Sequence, residues 1–215
     1  MNEYQIKTAG FGNAISGVRF RTKVAAPTKT TKADNDLIED ALGGNIAAFK
    51  ELVDRYYKPA YLYARGMIHN SDDAYDLSQE AFVRVHKHLG RFDPKYPFKV
   101  WLFHILANLC KNHIRQKKTR EKVFVATDET SSYEGVEATG PDAELYQSDI
   151  QKQVWSAMVE LPEKFKEIII LSHFQDMSYE QIAQVLEIPR GSVMSRLYYA
   201  RLKLREILEK RGVEL

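Results

Sequence analysis

Two groups of side chains have the types and spacing to engage a nucleic acid. The first lies between Tyr179 and Leu208, in YEQIAQVLEIPRGSVMSRLYYARLKLREIL, where Arg190, Ser192, Ser195, Arg196, Tyr199 and Arg201 recur along one helical pattern. Arginine can bridge guanine edges, and serine and tyrosine hydroxyls can hold phosphates. The second lies in FKVWLFHILANLCKNHIRQKK, where Phe98 and Trp101 precede Asn108, Lys111, Arg115, Lys117 and Lys118. Rings beside a cationic track suit single-stranded or melted nucleic acid. Each group also has a plainer explanation. Rings at helical spacing are more often core, a run of Lys and Arg at a helix end complements the macrodipole, and two short helices can be an ordinary hairpin of a bundle.

The elements that must position these groups read as helices. DLIEDALGGNIAAFKELVDRYYKPAYLYARGMI places Phe49, Leu52, Val53 and Tyr56 at helical spacing, with a break at Gly43-Gly44. SDDAYDLSQEAFVRVHKHL begins with Ser71 as an expected N-cap, followed by acids in the first turn and a stripe of Leu77, Ala81, Phe82 and Val85. In the basic helix Leu102, Ile105, Leu106 and Leu109 repeat on one side. Further on, Ser178 and Gln181 match a capping box for a helix from Tyr179 to about Leu186. Pro189 suits the first turn of the next helix, in which Val193, Leu197, Ala200, Leu204 and Leu208 form a narrow apolar stripe. Ser192, Ser195, Arg196, Tyr199 and Lys203 fall outside that stripe. Such a pair, joined by a short turn, has the form that enters a major groove.

Charge divides the 215 residues. Residues 1–33 carry six Lys or Arg against the single acid Glu3, and read as a flexible basic tail. Residues 34–120 read as one helical domain and 149–215 as a second. Between Asp128 and Asp149 stand seven acids and no Lys or Arg, so residues 121–148 read as a flexible acidic linker, apart from a short strand-like VFVA. The expected fold class is therefore all-α, two small helical domains, the second containing a helix-turn-helix. The net charge of +2 means that any nucleic-acid affinity must come from local clustering. With Cys110 alone, no internal disulfide can form, and a cytoplasmic setting is expected. No apolar run approaches the roughly 20 residues that span a bilayer. The histidines show no i, i+4 metal pair, and no phosphate loop or nucleophile elbow occurs, so neither an enzyme nor a metal or cofactor site is expected.

Taken in order, AFKELVDRYYKPAY, DDAYDLSQEAFVRVHKHLGRFD, FKVWLFHILANL and LPEKFKEIIILSHFQDMSYEQIAQVLEIPRGSVMSRLYYAR resemble bacterial RNA polymerase sigma factors of the extracytoplasmic function group. The resemblance implies that Asp73, Asp76, Gln79 and Glu80 face the clamp helices of the largest subunit of the polymerase core. It implies that Phe98, Trp101, Asn108, Lys111 and Arg115 serve the melted non-template strand of the minus-ten element. It assigns Arg190, Ser192, Ser195, Arg196, Tyr199 and Arg201 to the minus-thirty-five duplex. An anti-sigma or other recruiting protein is a further implied partner. The rival is a helix-turn-helix regulator that binds operator DNA without polymerase. Three positions depart from the family: Met194 and Tyr199 stand where it usually has cations, and Glu187 stands where it usually has a turn glycine. These departures imply that promoter choice draws on an added contact, from the basic tail or from another protein.

Overall fold

A computed structural model describes residues 32–124 and 149–213. Among these the chain is all-α, with α1 (Asp34–Leu42), α2 (Ile46–Ile68), α3 (Ser71–His88), α4 (Phe98–Phe124), α5 (Asp149–Val159), α6 (Glu163–Ile169), α7 (Tyr179–Leu186) and α8 (Arg190–Lys210). A 3-10 turn, Leu89–Arg91, follows α3, and a π-helical turn, Ile170–Phe174, continues α6. The basic tail, save its last two residues, and most of the acidic linker lie outside the described residues. The first domain was expected to close near Arg120, but α4 continues to Phe124, so Val123 and Phe124 of the strand-like VFVA are helical.

The sequence sets the helix ends. Asn45 caps α2, its side chain accepting from the Ala47 and Ala48 N–H groups. The expected cap at Ser71 moves back one residue: Asn70 accepts from the Asp73 N–H at 2.8 Å, and Ser71 becomes the first helical residue. Asn and Ser cap about equally well, so one residue of slack carries little energy. The capping box forms as expected, with Gln181 N–H on Ser178 Oγ and Ser178 N–H on Gln181 Oε1. Glu187 ends α7 in the left-handed region at φ 54° and ψ 44°. Pro189 was expected in the first turn of α8 and instead sits just before it as the N-cap, its carbonyl receiving the Ser192 and Val193 N–H groups.

Packing follows the stripes. Leu52, Ala81, Phe82, Val85, Leu102, Leu106 and Leu109 are buried in the first bundle. Val193, Leu197, Ala200, Leu204 and Leu208 are buried in the second. The bundles are not held apart: α2 lies against α6 and the π-helical turn, and α4 against α7. At the closest approach, a Cβ on Gly66 of α2 would stand 2.7 Å from Ile170 Cδ1 and 3.1 Å from Trp155 Cη2. Ile170 is fully buried, so it has little room to yield.

Gly66→Ala is therefore expected to destabilise the packed form by about 1–2 kcal/mol despite alanine's better helix propensity. Urea denaturation checks this, and an unchanged midpoint would refute the tight contact. At Glu187 the effect reverses: glycine relieves the left-handed backbone, and Glu187→Gly should stabilise by roughly 0.5–1 kcal/mol, read as a higher melting temperature.

Candidate nucleic-acid and polymerase interfaces

Three surfaces carry the residues singled out by sequence. The first is the outer face of α3. Asp76, Gln79 and Glu80 are exposed, while Asp73 is half-buried and its carboxylate stands 3.3 Å from His113 Nε2 of α4. Glu80 pairs with Arg84 one turn on, at 2.7 Å. Beside the acids runs a groove of about 400 Å³, lined by Phe49, Val53, Tyr57, Gln79, Phe82, Val83 and His86. Val83 and Tyr75 are exposed along this helix. An apolar groove beside an acidic helix face fits a basic amphipathic helix, and of the residues the sequence singled out for this face only Gln79 lines the groove.

The second surface is α4. Phe98 does not present itself to a strand, because it is 1% exposed. It packs 5.3 Å from Tyr56 and 6.1 Å from both Phe92 and Trp101, ring centre to ring centre. Phe98 thus packs inside the bundle, and Trp101, half-buried against Phe92 at 5.3 Å, belongs to the same cluster of rings. Asn108, Lys111 and Arg115 are exposed on the helix. Asn108 donates to His104 Nε2, His104 Nδ1 donates to the Val185 carbonyl at 3.3 Å, and Arg115 donates to Asn112.

Sequence reasoning did not anticipate what meets this helix. Lys99 donates to the Gln175 carbonyl, Lys111 pairs with Glu167 at 3.0 Å, and Lys118 pairs with Glu163. Each acceptor belongs to the C-terminal bundle. Glu167 is itself buried and also accepts from the Tyr63 hydroxyl of α2 at 3.1 Å. Gln175 reaches back to donate to the Pro59 carbonyl at 3.1 Å. The available signal was a Lys-Glu pair set directly before the apolar run Ile168-Ile169-Ile170-Leu171, which buries both charges.

The third surface is α8. Ser195 and Tyr199 are exposed, and Ser192 and Arg196 are half-buried at its edge. Arg190 turns back to Glu180 of α7 at 2.8 Å. Arg201 turns inward and donates to His173 Nε2 at 3.2 Å. The Ser195 hydroxyl donates to the backbone carbonyls of Gly191 and Ser192.

Two half-buried histidines sit at packing contacts, His69 against Lys166 of the C-terminal bundle and His173 against Arg201 within that bundle. Burial, with Lys166 and Arg65 beside it, pushes the His69 imidazole down to about 3. Burial and the Arg201 guanidinium push His173 down to about 4. Burial also lowers Lys166 to about 8, and its ammonium lies 2.5 Å from His69 Nε2. Both rings are thus neutral acceptors. Cys110 is buried and its thiol is pushed well up by burial, which fits a small core residue. Among the described residues no group of three or more His, Cys, Asp or Glu could hold a metal ion, and no helix is long and apolar enough to cross a membrane.

An all-α chain with a helix-turn-helix in one bundle, and a cationic helix and an apolar groove in the other, has the form of a two-part helical DNA-binding protein. The family models agree: Sigma-70 region 2 matches residues 52–120 and Sigma-70, region 4 matches residues 151–204. The RNA polymerase sigma-H factor of Pseudomonas aeruginosa is 31% identical over 186 residues, covering 84% of this chain and 96% of that protein. The ECF RNA polymerase sigma-E factor of Escherichia coli K12 is 31% identical over 174 residues, covering 78% and 90% respectively. The solved structure of CnrH in complex with the cytosolic domain of CnrY superposes with a TM-score of 0.63 at 28% identity, covering 83% of this chain and 99% of that one. The chain belongs to the ECF group of RNA polymerase sigma factors, and its function is transcription initiation. The match across residues 52–120 sets aside a regulator that works without polymerase, which would leave that half unexplained.

The histidine shifts give a pH dependence with a definite sign. Their folded values lie below the ordinary 6.5. The unfolded chain therefore takes up protons first, and stability present above pH 6.5 is lost as pH falls from 6.5 towards 4. Melting temperature should drop by several degrees between pH 7.5 and pH 5, and the double variant His69→Gln/His173→Gln should flatten part of that slope. Parallel profiles for the two proteins would show that the histidines do not carry it.

Proposed function

We propose that the two bundles divide promoter recognition between them. The first, close to residues 34–120, docks on the clamp helices of the polymerase core through Asp73, Asp76, Gln79, Glu80 and the adjoining groove. It holds the melted minus-ten strand through Asn108, Lys111 and Arg115, while Phe98 and Trp101 give that surface its shape. The second, close to residues 149–215, presents α8 to the minus-thirty-five duplex, with Arg190, Ser195 and Tyr199 exposed and Ser192, Arg196 and Arg201 half-buried among the residues assigned to it. The protein works in the cytoplasm and performs no bond-making step of its own, the polymerase supplying the chemistry. CnrH is seen in complex with the cytosolic domain of CnrY, and a protein that covers both bundles is the kind of anti-sigma partner this chain would accept.

One observation carries the reading of α4. Three cations spaced along the helix, Lys99, Lys111 and Lys118, each take an oxygen acceptor from the C-terminal bundle. A row of cations that accepts carboxylates and a carbonyl in the packed form is chemically suited to accept phosphates. The packed arrangement is then the form in which DNA is excluded from α4. Promoter binding requires Glu163 and Glu167 to withdraw, and attachment to core holds the bundles apart.

The test compares single-stranded DNA binding with and without core polymerase. The wild-type chain alone should bind weakly. Glu163→Gln/Glu167→Gln should bind several-fold more tightly, with a steeper salt dependence as freed lysines displace counterions. Lys111→Glu should lower run-off transcription by the holoenzyme. Equal binding by wild type and the double Gln variant would overturn the exclusion reading, whereas failure to direct specific initiation with core would overturn the assignment of roles.

A further inference from the structure

The outward face of α8 is short of the donors that usually read base edges. Arg190 and Arg201 are engaged by Glu180 and His173, and the Ser195 hydroxyl donates to its own helix backbone. Instead, Met194 is 52% exposed, Tyr198 36% and Tyr199 58%. All three project from the first three turns of the helix, on the side away from the buried stripe of Val193, Leu197 and Ala200. The two tyrosine rings stand edge to face, 5.4 Å between centres. Gly191 adds no side chain on that side and has open space around it, so a groove wall can come close to the helix start.

Three large groups held in water within six positions, Met194, Tyr198 and Tyr199, gain by covering, and the occupant must fit a helix that also carries Arg196. Arg196 stands within the same stretch, and its charge complements a polyanion better than an apolar protein groove, while Lys203 and Arg205 further along are paired with Glu206 and Glu209. In a major groove the group that an apolar side chain can read is the thymine 5-methyl. Guanine and adenine edges are read best by bidentate guanidinium or amide groups, which Met194, Tyr198 and Tyr199 do not carry; a tyrosine hydroxyl supplies one donor, suited to a phosphate.

We propose that α8 selects its duplex by thymine methyl groups, packed against Met194, Tyr198 and Tyr199, with Arg196 anchoring the backbone. The inference rests on α8 being the duplex reader. It gives α8 itself a means of selection beside the added contact expected from the basic tail or from another protein.

The test uses a promoter mapped by sequencing transcripts that the reconstituted holoenzyme initiates. Thymines in the protected minus-thirty-five region are replaced singly by deoxyuridine, which removes the methyl and leaves base pairing intact. At one or more positions holoenzyme affinity should fall about threefold to fivefold, the scale of one buried methyl group. Met194→Ala/Tyr199→Ala should bind thymine and uracil duplexes alike, while binding of core polymerase is unchanged. Since both side chains are exposed, the variant keeps its fold, and the uracil series on the wild-type protein needs no variant. Protection at minus thirty-five with no loss for uracil at any position would overturn the methyl reading alone. Absence of protection there would overturn the duplex-reading role on which it rests.

Discussion

Glu167 has the partners on which the described arrangement depends. A carboxylate removed from water costs several kcal/mol unless donors replace its hydration. Glu167 is 4% exposed, and the Tyr63 hydroxyl and the Lys111 ammonium, 3.1 and 3.0 Å away, supply those donors. Both come from the N-terminal bundle, although Glu167 belongs to the C-terminal one. Any other docking of the two bundles would bury this carboxylate without donors, so the group fixes alignment more than it adds strength. The contact of Gly66 with Ile170 and Trp155 sets the distance, and Glu167 sets the register.

The magnitudes explain how such a contact can also be given up. The Lys118–Glu163 pair, with side chains 62% and 42% exposed, is well screened, whereas Lys111, 42% exposed, pairs with a Glu167 side chain that is only 5% exposed. An exposed ion pair contributes on the order of 0–1 kcal/mol. A duplex or single strand offers a continuous row of phosphates and releases condensed counterions when bound. The apolar part of the contact, centred on Gly66, does not compete with DNA at all. Lys118 is therefore held weakly enough to exchange its partner, whereas Lys111 is given up only as Glu167 leaves its buried site and regains water.

How much of this was legible in the sequence depended on range. Local signals were strong: the stripe from Val193 to Leu208, the Ser178–Gln181 capping box and the break at Gly43-Gly44 all appear where periodicity and side-chain chemistry place them. Single-residue slips occurred where two neighbours cap equally well, as with Asn70 and Ser71, or where Pro189 could stand on either side of a helix start. Phe98 illustrates a harder limit. A ring at the start of a basic helix has the same sequence signature whether it meets a base or three other rings, and only the positions of Tyr56, Phe92 and Trp101 decide. The pairing of α4 with Glu163, Glu167 and Gln175 links residues dozens of positions apart, and no periodicity encodes it.

The helix-turn-helix shows why fold and specificity separate so cleanly. Glu187 holds a left-handed backbone that costs a non-glycine residue about 1–2 kcal/mol, and the turn keeps its shape regardless. It is over-determined: the capping box fixes the start of α7, the Ile188 N–H returns to the Ala183 carbonyl, and Pro189 presets the entry to α8. The stripe from Val193 to Leu208 then pins the helix from behind. None of those constraints touches Met194, Tyr198 or Tyr199, which face outward and contribute little to stability. Substitution there changes what the helix can read without changing where it stands, so the chemistry of the outer face, rather than the family's usual cations, must be the guide to the sequence this protein selects.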